Sequence, residues 1–317
     1  MVRETFSDLL GQSTAVDLLA QAIAHQRIAP AYLFVGPAGV GRRLAALRFA
    51  ECLLASHPDG GQRLRRRISD RNHPDLVWVE PTYLHKGKPV TAAEADALDL
   101  KRKSPPQIRL EQIRDITRCL SRPPLESPRA VVVITGAETM TEAPANGLLK
   151  TLEEPGQATL ILLATDSANL LPTIVSRCQS IPFRRLPPEI MATVLTQAGY
   201  GEILSQPDVL ALAHGSPGQA IAAWHQLQAI PPELVTALQQ PPRALQAALE
   251  LARQVSKELD LESQLWLVEY LQQVAWARER SPTLLTALEQ ARLYLRRFVQ
   301  PRLVWEVTLM RFVFPRG

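Results

Sequence analysis

One feature constrains this chain more than any other. The short apolar run Ala31-Tyr-Leu-Phe-Val35 stops at Gly36, turns through glycine-rich residues to Gly41, and resumes from Leu44 to Ala55 with helical spacing. A strand, a glycine loop and a helix in that order form a βα unit whose loop N–H groups converge at a helix N-terminus, where they can wrap an anion. Similar apolar strands follow at Asp75–Val79, Ala130–Ile134 and Thr159–Ala164, alternating with helical periods at Leu110–Leu120 and Glu142–Leu152. Strands that are apolar throughout and alternate with helices predict a parallel sheet covered on both faces. Ahead of the first strand, Ser13 and Thr14 cap an amphipathic helix bearing Val16, Leu19 and Ile23, which Pro30 ends.

Beyond Phe183 the strand signals stop, and Leu186-Pro187-Pro188 opens a region with helical periodicity only. Pro188–Ala198, Pro207–Ala213 and Pro217–Leu227 are three short helical segments. After Pro231-Pro232 and Pro241-Pro242 a leucine-rich helical region runs to Phe314. The expected domains are therefore an α/β unit over residues 1–184, a small helical unit over 185–228 and an all-α unit over 229–317. Residues 84–106 are polar, charged and without periodicity, and read as a loop.

At 317 residues and 46% hydrophobic content the chain has enough apolar mass for several cores. No stretch approaches the roughly 18 apolar residues of a membrane span, and the start lacks a basic and apolar leader, so a cytoplasmic protein is expected. Cys52, Cys119 and Cys178 lie far apart, which predicts reduced thiols rather than disulfides or a metal pair. The net charge of +4 and pI near 9.1 permit contact with nucleic acid without requiring it. Basic residues cluster at Arg63, Arg65, Arg66, Arg67 and Arg71 and again at Lys101, Arg102 and Lys103, both read as solvated, looped segments.

A phosphate-binding loop that hydrolyses ATP reads G-x-x-x-x-G-K-[ST]: backbone N–H groups hold the phosphates, the lysine neutralises them, and the hydroxyl ligates Mg²⁺. Here the run is Gly36-Pro37-Ala38-Gly39-Val40-Gly41-Arg42-Arg43. Arg42 keeps a cation but is longer and planar, and Arg43 removes the metal ligand while adding a second cation. The acidic pair expected after the Ala130–Ile134 strand is also missing, since Thr135-Gly136-Ala137-Glu138 offers only Glu138. Thr165, at the end of the next strand, is a candidate polar sensor of a terminal phosphate or an ordinary strand-end residue. No Ser/His/Asp or Cys/His set suggests another catalytic centre.

Several runs carry a resemblance: Phe6-Ser-Asp-Leu-Leu-Gly-Gln12, the altered loop, Asn72-His-Pro-Asp75, Ala145-Asn-Gly-Leu-Leu-Lys-Thr-Leu-Glu-Glu-Pro155, Leu171-Pro-Thr-Ile-Val-Ser-Arg-Cys178 and Gly215-Ser-Pro-Gly218. With these, the chain resembles the bacterial clamp-loader family of AAA+ proteins, over roughly the first 225 residues and in general character beyond them. The resemblance implies a P-loop NTPase fold with a RecA-like parallel sheet, followed by a small helical lid and an all-α C-terminal domain that packs into a subunit ring. It implies that Ser176-Arg177-Cys178 presents Arg177 as a finger to ATP bound by a neighbour. The implied partners are gamma/tau ATPase subunits, a delta subunit and, through the complex, the sliding clamp and primed DNA.

The departures from the family pattern are specific. Lysine and threonine are replaced by Arg42 and Arg43, an acidic residue by Gly136, and the arginine after the Gly-Ser-Pro-Gly turn by Gln219. These changes argue against hydrolysis, and against a need for bound ATP or ADP, so no cofactor is required. The four-cysteine zinc module common in the family is absent, with only Cys52, His57 and His73 nearby, so no zinc is expected. Two rival readings stay open: an active gamma/tau-type ATPase using Arg42, and a DNA-binding module gripping phosphates through Arg63–Arg71, a segment without interleaved aromatics.

Overall fold

Apolar side chains on both faces leave three of the strands no stable place but the middle of a sheet. The computed structural model describes residues 2–55, 61–98, 100, 104–240, 242, 244–278 and 282–313, and His57, Lys101, Arg102, Lys103, Pro241 and Phe314 lie outside them. The strands are β1 (Ala31–Val35), β2 (Leu76–Val79), β3 (Tyr83–His85), β4 (Lys88–Val90), β5 (Ala130–Ile134), β6 (Ala158–Ala164) and β7 (Gln179–Pro182). Five of them form one sheet in the order β2-β5-β6-β1-β7. Every pairing in it is parallel.

The two faces of the sheet are covered by different side chains. Ala31 and Leu33 join Val132, Ile134, Leu160 and Leu162 in a core with Ile113 and Ile116 of the Leu110–Leu120 helix and Leu148 and Leu152 of the Glu142–Glu153 helix. Tyr32 and Phe34 carry the aromatic cluster: Phe49, on the Arg42–Leu54 helix, meets Tyr32 edge-on at 4.9 Å between ring centroids. Alternation along β1 thus ties one strand to helices on both sides.

The chain divides into two compact units, Met1–Ile190 and Met191–Gly317. Within the second, helices supply a core of Leu234, Leu251, Val255, Leu267, Leu288 and Leu295 around fully buried Trp305. Trp305 Nε1 donates to Gln264 Oε1 (2.9 Å), and Gln264 Nε2 donates to the Leu259 carbonyl (2.8 Å), so this buried polar pair is satisfied. Leu212 and Leu227 pack against the same core.

Three expectations need correction, and one strand was not anticipated. Residues 84–106 are not a plain loop, because β3 and β4 form an antiparallel hairpin and Ala92–Ala97 is helical. Lys86 and Gly87 at its tip have φ of 49° and 80°, the positive values of a type I′ turn, and strands this short carry no readable period. The arginine-rich segment is helical over Gly61–Ser69, not looped, with Ile68 as its buried anchor. The Ser13–Ala24 helix is entered from Gln12 rather than capped by Ser13 or Thr14, and it ends at Ala24, ahead of Pro30. The short strand β7 gave no apolar signal because only Ile181 of its four residues is buried.

Candidate functional site

In a parallel sheet the carboxyl ends of the strands form the edge where ligands bind. The glycine loop leaves β1 at that edge and is fastened to β6 and β7. Gly36 N donates to the Ala164 carbonyl (3.2 Å), and Phe183 N donates to the Val35 carbonyl (2.7 Å). A Cβ on Gly36 would lie 2.3 Å from the Phe183 carbonyl oxygen, so glycine is required there for packing, independently of any phosphate. Buried Gln12, the last residue of the first family motif, adds a staple. Its Nε2 donates to the Val40 carbonyl (3.1 Å) and to the Arg184 carbonyl (2.7 Å), and its Oε1 accepts from Arg184 N (3.0 Å).

The side chains at this edge are engaged with one another. Arg42 is partly buried, and burial pulls its pKa down, an effect opposed by the charge of Glu138. Its Nε is buried without a hydrogen-bond partner. Glu138 Oε1 accepts from Thr165 N (3.1 Å) and Thr165 Oγ1 (2.7 Å), so the candidate sensor is engaged by the surviving acid, whose Oε2 is buried without a hydrogen-bond partner. Arg43 turns toward the end of β2, where its guanidinium stands 5.1 Å over Trp78 and 3.4 Å from Glu80. Glu80 Oε1 also accepts from Arg71 (2.7 Å) and from Trp78 Nε1 (3.0 Å). Burial raises the Glu80 pKa, but those donors and the two arginine charges outweigh it and leave the carboxyl below its usual range.

Gly136 has φ 59° and ψ 42°, and a Cβ there would sit 2.8 Å from Pro81 Cγ. The acidic residue of the family pattern therefore cannot be added at this position without moving the backbone or Pro81.

Arg177 lies elsewhere. It precedes β7, at the amino edge of the sheet, whereas the loop follows β1 at the carboxyl edge. Gln179 is level with Tyr32 and Pro182 with Val35, so on the order of 10 Å of strand separates the two edges. Arg177 Nε donates to Glu153 Oε1 (2.7 Å), Nη2 lies 2.5 Å from the same oxygen, and Nη1 donates to the Thr173 carbonyl (3.0 Å). Ser176 Oγ donates to that carbonyl as well (3.1 Å). Burial pushes the half-buried Cys178 thiol up to about 12, and the Cys52 thiol up to about 11, so neither is a nucleophile near neutrality.

The remaining motif residues are structural. Asp75 accepts three backbone N–H bonds, from Leu125 (2.6 Å), Glu126 (2.9 Å) and Ser127 (2.8 Å). Burial raises its pKa, but the three donors win and hold it low. His73 Nδ1 accepts from Asp75 N (3.2 Å), and burial, followed by the nearby Arg67, lowers its pKa. Asp8 of the first motif pairs with Arg48 at 2.9 Å, and Arg48 also reaches Glu51. Gln219 N donates to Ser216 Oγ (3.3 Å), a helix cap. In the basic segment, Arg65 pairs with Glu51, Arg66 with Asp70, Arg67 with Glu126 and Arg71 with Glu80. No group of three or more potential metal ligands converges among the described residues. No described helix is long and apolar enough to cross a membrane.

Sequence reasoning named Glu153 only as part of a motif and did not single out Trp78, Glu80 or Gln12. Acid residues several elements away in the chain carry no local sign that they will meet a given arginine.

Comparison with known proteins agrees with this architecture. Residues 11–187 match the family described as DNA polymerase III, delta subunit. Residues 189–312 match the cyanobacterial DNA polymerase III delta prime, C-terminal domain. The DNA polymerase III subunit delta' of Bacillus subtilis is 36% identical over 183 residues, 56% of this chain and 49% of the relative. That of Pseudomonas aeruginosa is 34% identical over 156 residues, 47% of this chain and 42% of the relative. The chain thus spans about half the length of the curated relatives it matches. A DNA polymerase III gamma subunit-related protein of Thermotoga maritima has the same fold, with a TM-score of 0.56 at 16% identity, covering 93% of this chain and 98% of that one. Two consecutive family matches laid over a parallel P-loop sheet and a helical remainder establish that the chain belongs to the delta-prime family of DNA polymerase III clamp-loader subunits.

Proposed function

We propose that this chain is a non-hydrolysing clamp-loader subunit that supplies Arg177 in trans to ATP bound by an adjacent gamma/tau-type ATPase. One observation carries the reading: Arg177 is held at the amino edge of the sheet while its own glycine loop lies at the carboxyl edge. A finger so placed serves a nucleotide outside its own chain. A guanidinium brought to a transferring phosphoryl group stabilises its developing charge, and is worth on the order of 10³–10⁵ in rate where such fingers are well characterised. Ser176 and Cys178 frame it, one bonding the turn carbonyl and the other filling a half-buried space.

The loop Gly36–Arg43 serves as a fold element on this reading. Arg43 is drawn to Trp78 and Glu80, Thr165 to Glu138, and Gly136 leaves no room for a metal-binding acid. No cofactor and no zinc is needed in this chain. Residues 185–228 act as the lid and 229–317 as the ring-forming collar, with a delta subunit, gamma/tau ATPases, the sliding clamp and primed DNA as partners in the cytoplasm. The rival DNA-binding reading is disfavoured because four arginines of the basic segment already face carboxylates, which compete with phosphates for them. The test is clamp loading on primed DNA by the reconstituted complex, with ATP turnover by the purified chain measured alongside. Loading that depends on this chain, together with no turnover by the chain alone, supports the proposal; turnover by the chain alone overturns it in favour of an active ATPase.

A further inference from the structure

Two motifs far apart in sequence meet at one ion pair. Glu153, in the Leu-Leu-Lys-Thr-Leu-Glu-Glu-Pro run, accepts from Arg177 Nε on Oε1 (2.7 Å), and the same oxygen stands 2.5 Å from Nη2 as an ion pair. Thr173, one turn ahead of the finger, receives Nη1 on its carbonyl. A guanidinium carries five N–H donors: one on Nε and two on each terminal nitrogen. The two hydrogen bonds take one donor from Nε and one from Nη1, so both terminal nitrogens, Nη1 and Nη2, keep donors that can meet oxygens of a phosphate.

The backbone of Glu153 is firmly placed, while its side chain is half exposed. It ends the Glu142–Glu153 helix, which is anchored in the sheet core by Leu148 and Leu152. The Arg177 side chain remains one-third exposed, so its free end is accessible. Because Glu153 occupies the side-on edge of the guanidinium, it does not compete for the donors a phosphate would use. A long arginine already fixed along that edge loses less rotamer freedom on engaging a ligand.

We propose that Glu153 is a positioning residue for the finger, locking the side-on edge of Arg177 so that its end-on donors are presented to the terminal phosphate of a neighbour's nucleotide. The inference rests on the reading of Arg177 as a finger in trans. It is tested in the reconstituted complex by steady-state ATP turnover with Glu153→Ala, Glu153→Gln, Arg177→Ala and the double variant Glu153→Ala/Arg177→Ala. Glu153→Ala is expected to lower kcat about 3- to 30-fold with KM for ATP and complex assembly unchanged. Glu153→Gln, which keeps an acceptor oxygen, is expected to retain about half of the wild-type kcat. In the Arg177→Ala background, removing Glu153 is expected to change nothing further.

An unchanged kcat in Glu153→Ala overturns the proposal. So does a faster one, which would make the carboxylate a restraint on the finger. An equal loss with and without Arg177 also overturns it, because Glu153 would then act by another route. If Arg177→Ala in an assembled complex leaves turnover unchanged, the finger reading itself falls and the positioning role falls with it.

Discussion

At the scale of single residues, close approach and hydrogen-bond satisfaction decide more than charge. Gly36 is the sharpest case, since any side chain there meets the Phe183 carbonyl. Gly36→Ala is expected to destabilise the protein by about 2 kcal/mol or more, measured by urea unfolding, whether or not nucleotide is present. Asp75 is the second case. Its carboxylate holds three backbone donors in the segment before β5, and Asp75→Ala is expected to cost about 2–4 kcal/mol. Its folded pKa is depressed, so its contribution is present above the ordinary carboxylate value of about 3.9 and is lost as pH falls through the lower folded value. His73 adds to acid sensitivity in a higher window. Held neutral in the fold, it favours unfolding as pH drops below about 6.5. Stability measured from pH 7 down through the acid transition is expected to fall in two stages, and Asp75→Ala is expected to shrink the lower one, to which Glu80 also contributes.

At the scale of elements, the proposed silence of the glycine loop can be probed by restoring its side chains. The double variant Arg42→Lys/Arg43→Thr restores the loop chemistry but not the acid after β5, and Gly136 cannot accept one without displacing Pro81. That variant is expected to show no ATP turnover alone, measured by phosphate release; turnover would mean that the loop side chains alone had silenced the site. The sheet was legible in the sequence because β1, β5 and β6 are apolar on both faces and alternate with helices, the combined pattern of a buried parallel sheet. The glycine loop was legible because its residues are contiguous, and the finger role proposed for Arg177 rests likewise on a contiguous motif. The hairpin β3–β4, the strand β7 and the Gly61–Ser69 helix were not, because each is short and mostly exposed and so lacks the burial that writes a period. The pairings Arg177–Glu153, Arg43–Glu80 and Glu138–Thr165 were equally hidden, since they join residues that only the fold brings together.

At the scale of the whole chain, two compact units have separate cores. The second is built around Trp305 and its bond to Gln264, and residues 191–317 expressed alone are expected to be helical and to melt cooperatively in circular dichroism. Trp305→Ala in that fragment is expected to cost about 3–5 kcal/mol. Non-cooperative melting of the fragment would show that its core depends on the first unit. The first unit carries the central claim, a division of labour in which a loop kept for its fold sits at one edge of the sheet and a finger for another subunit's nucleotide at the other. The most direct test is steady-state ATP turnover by the gamma/tau ATPase assembled with either the wild-type chain or Arg177→Ala. A fall in kcat of at least roughly tenfold with assembly intact is the expected result; unchanged turnover in an intact complex would contradict the account.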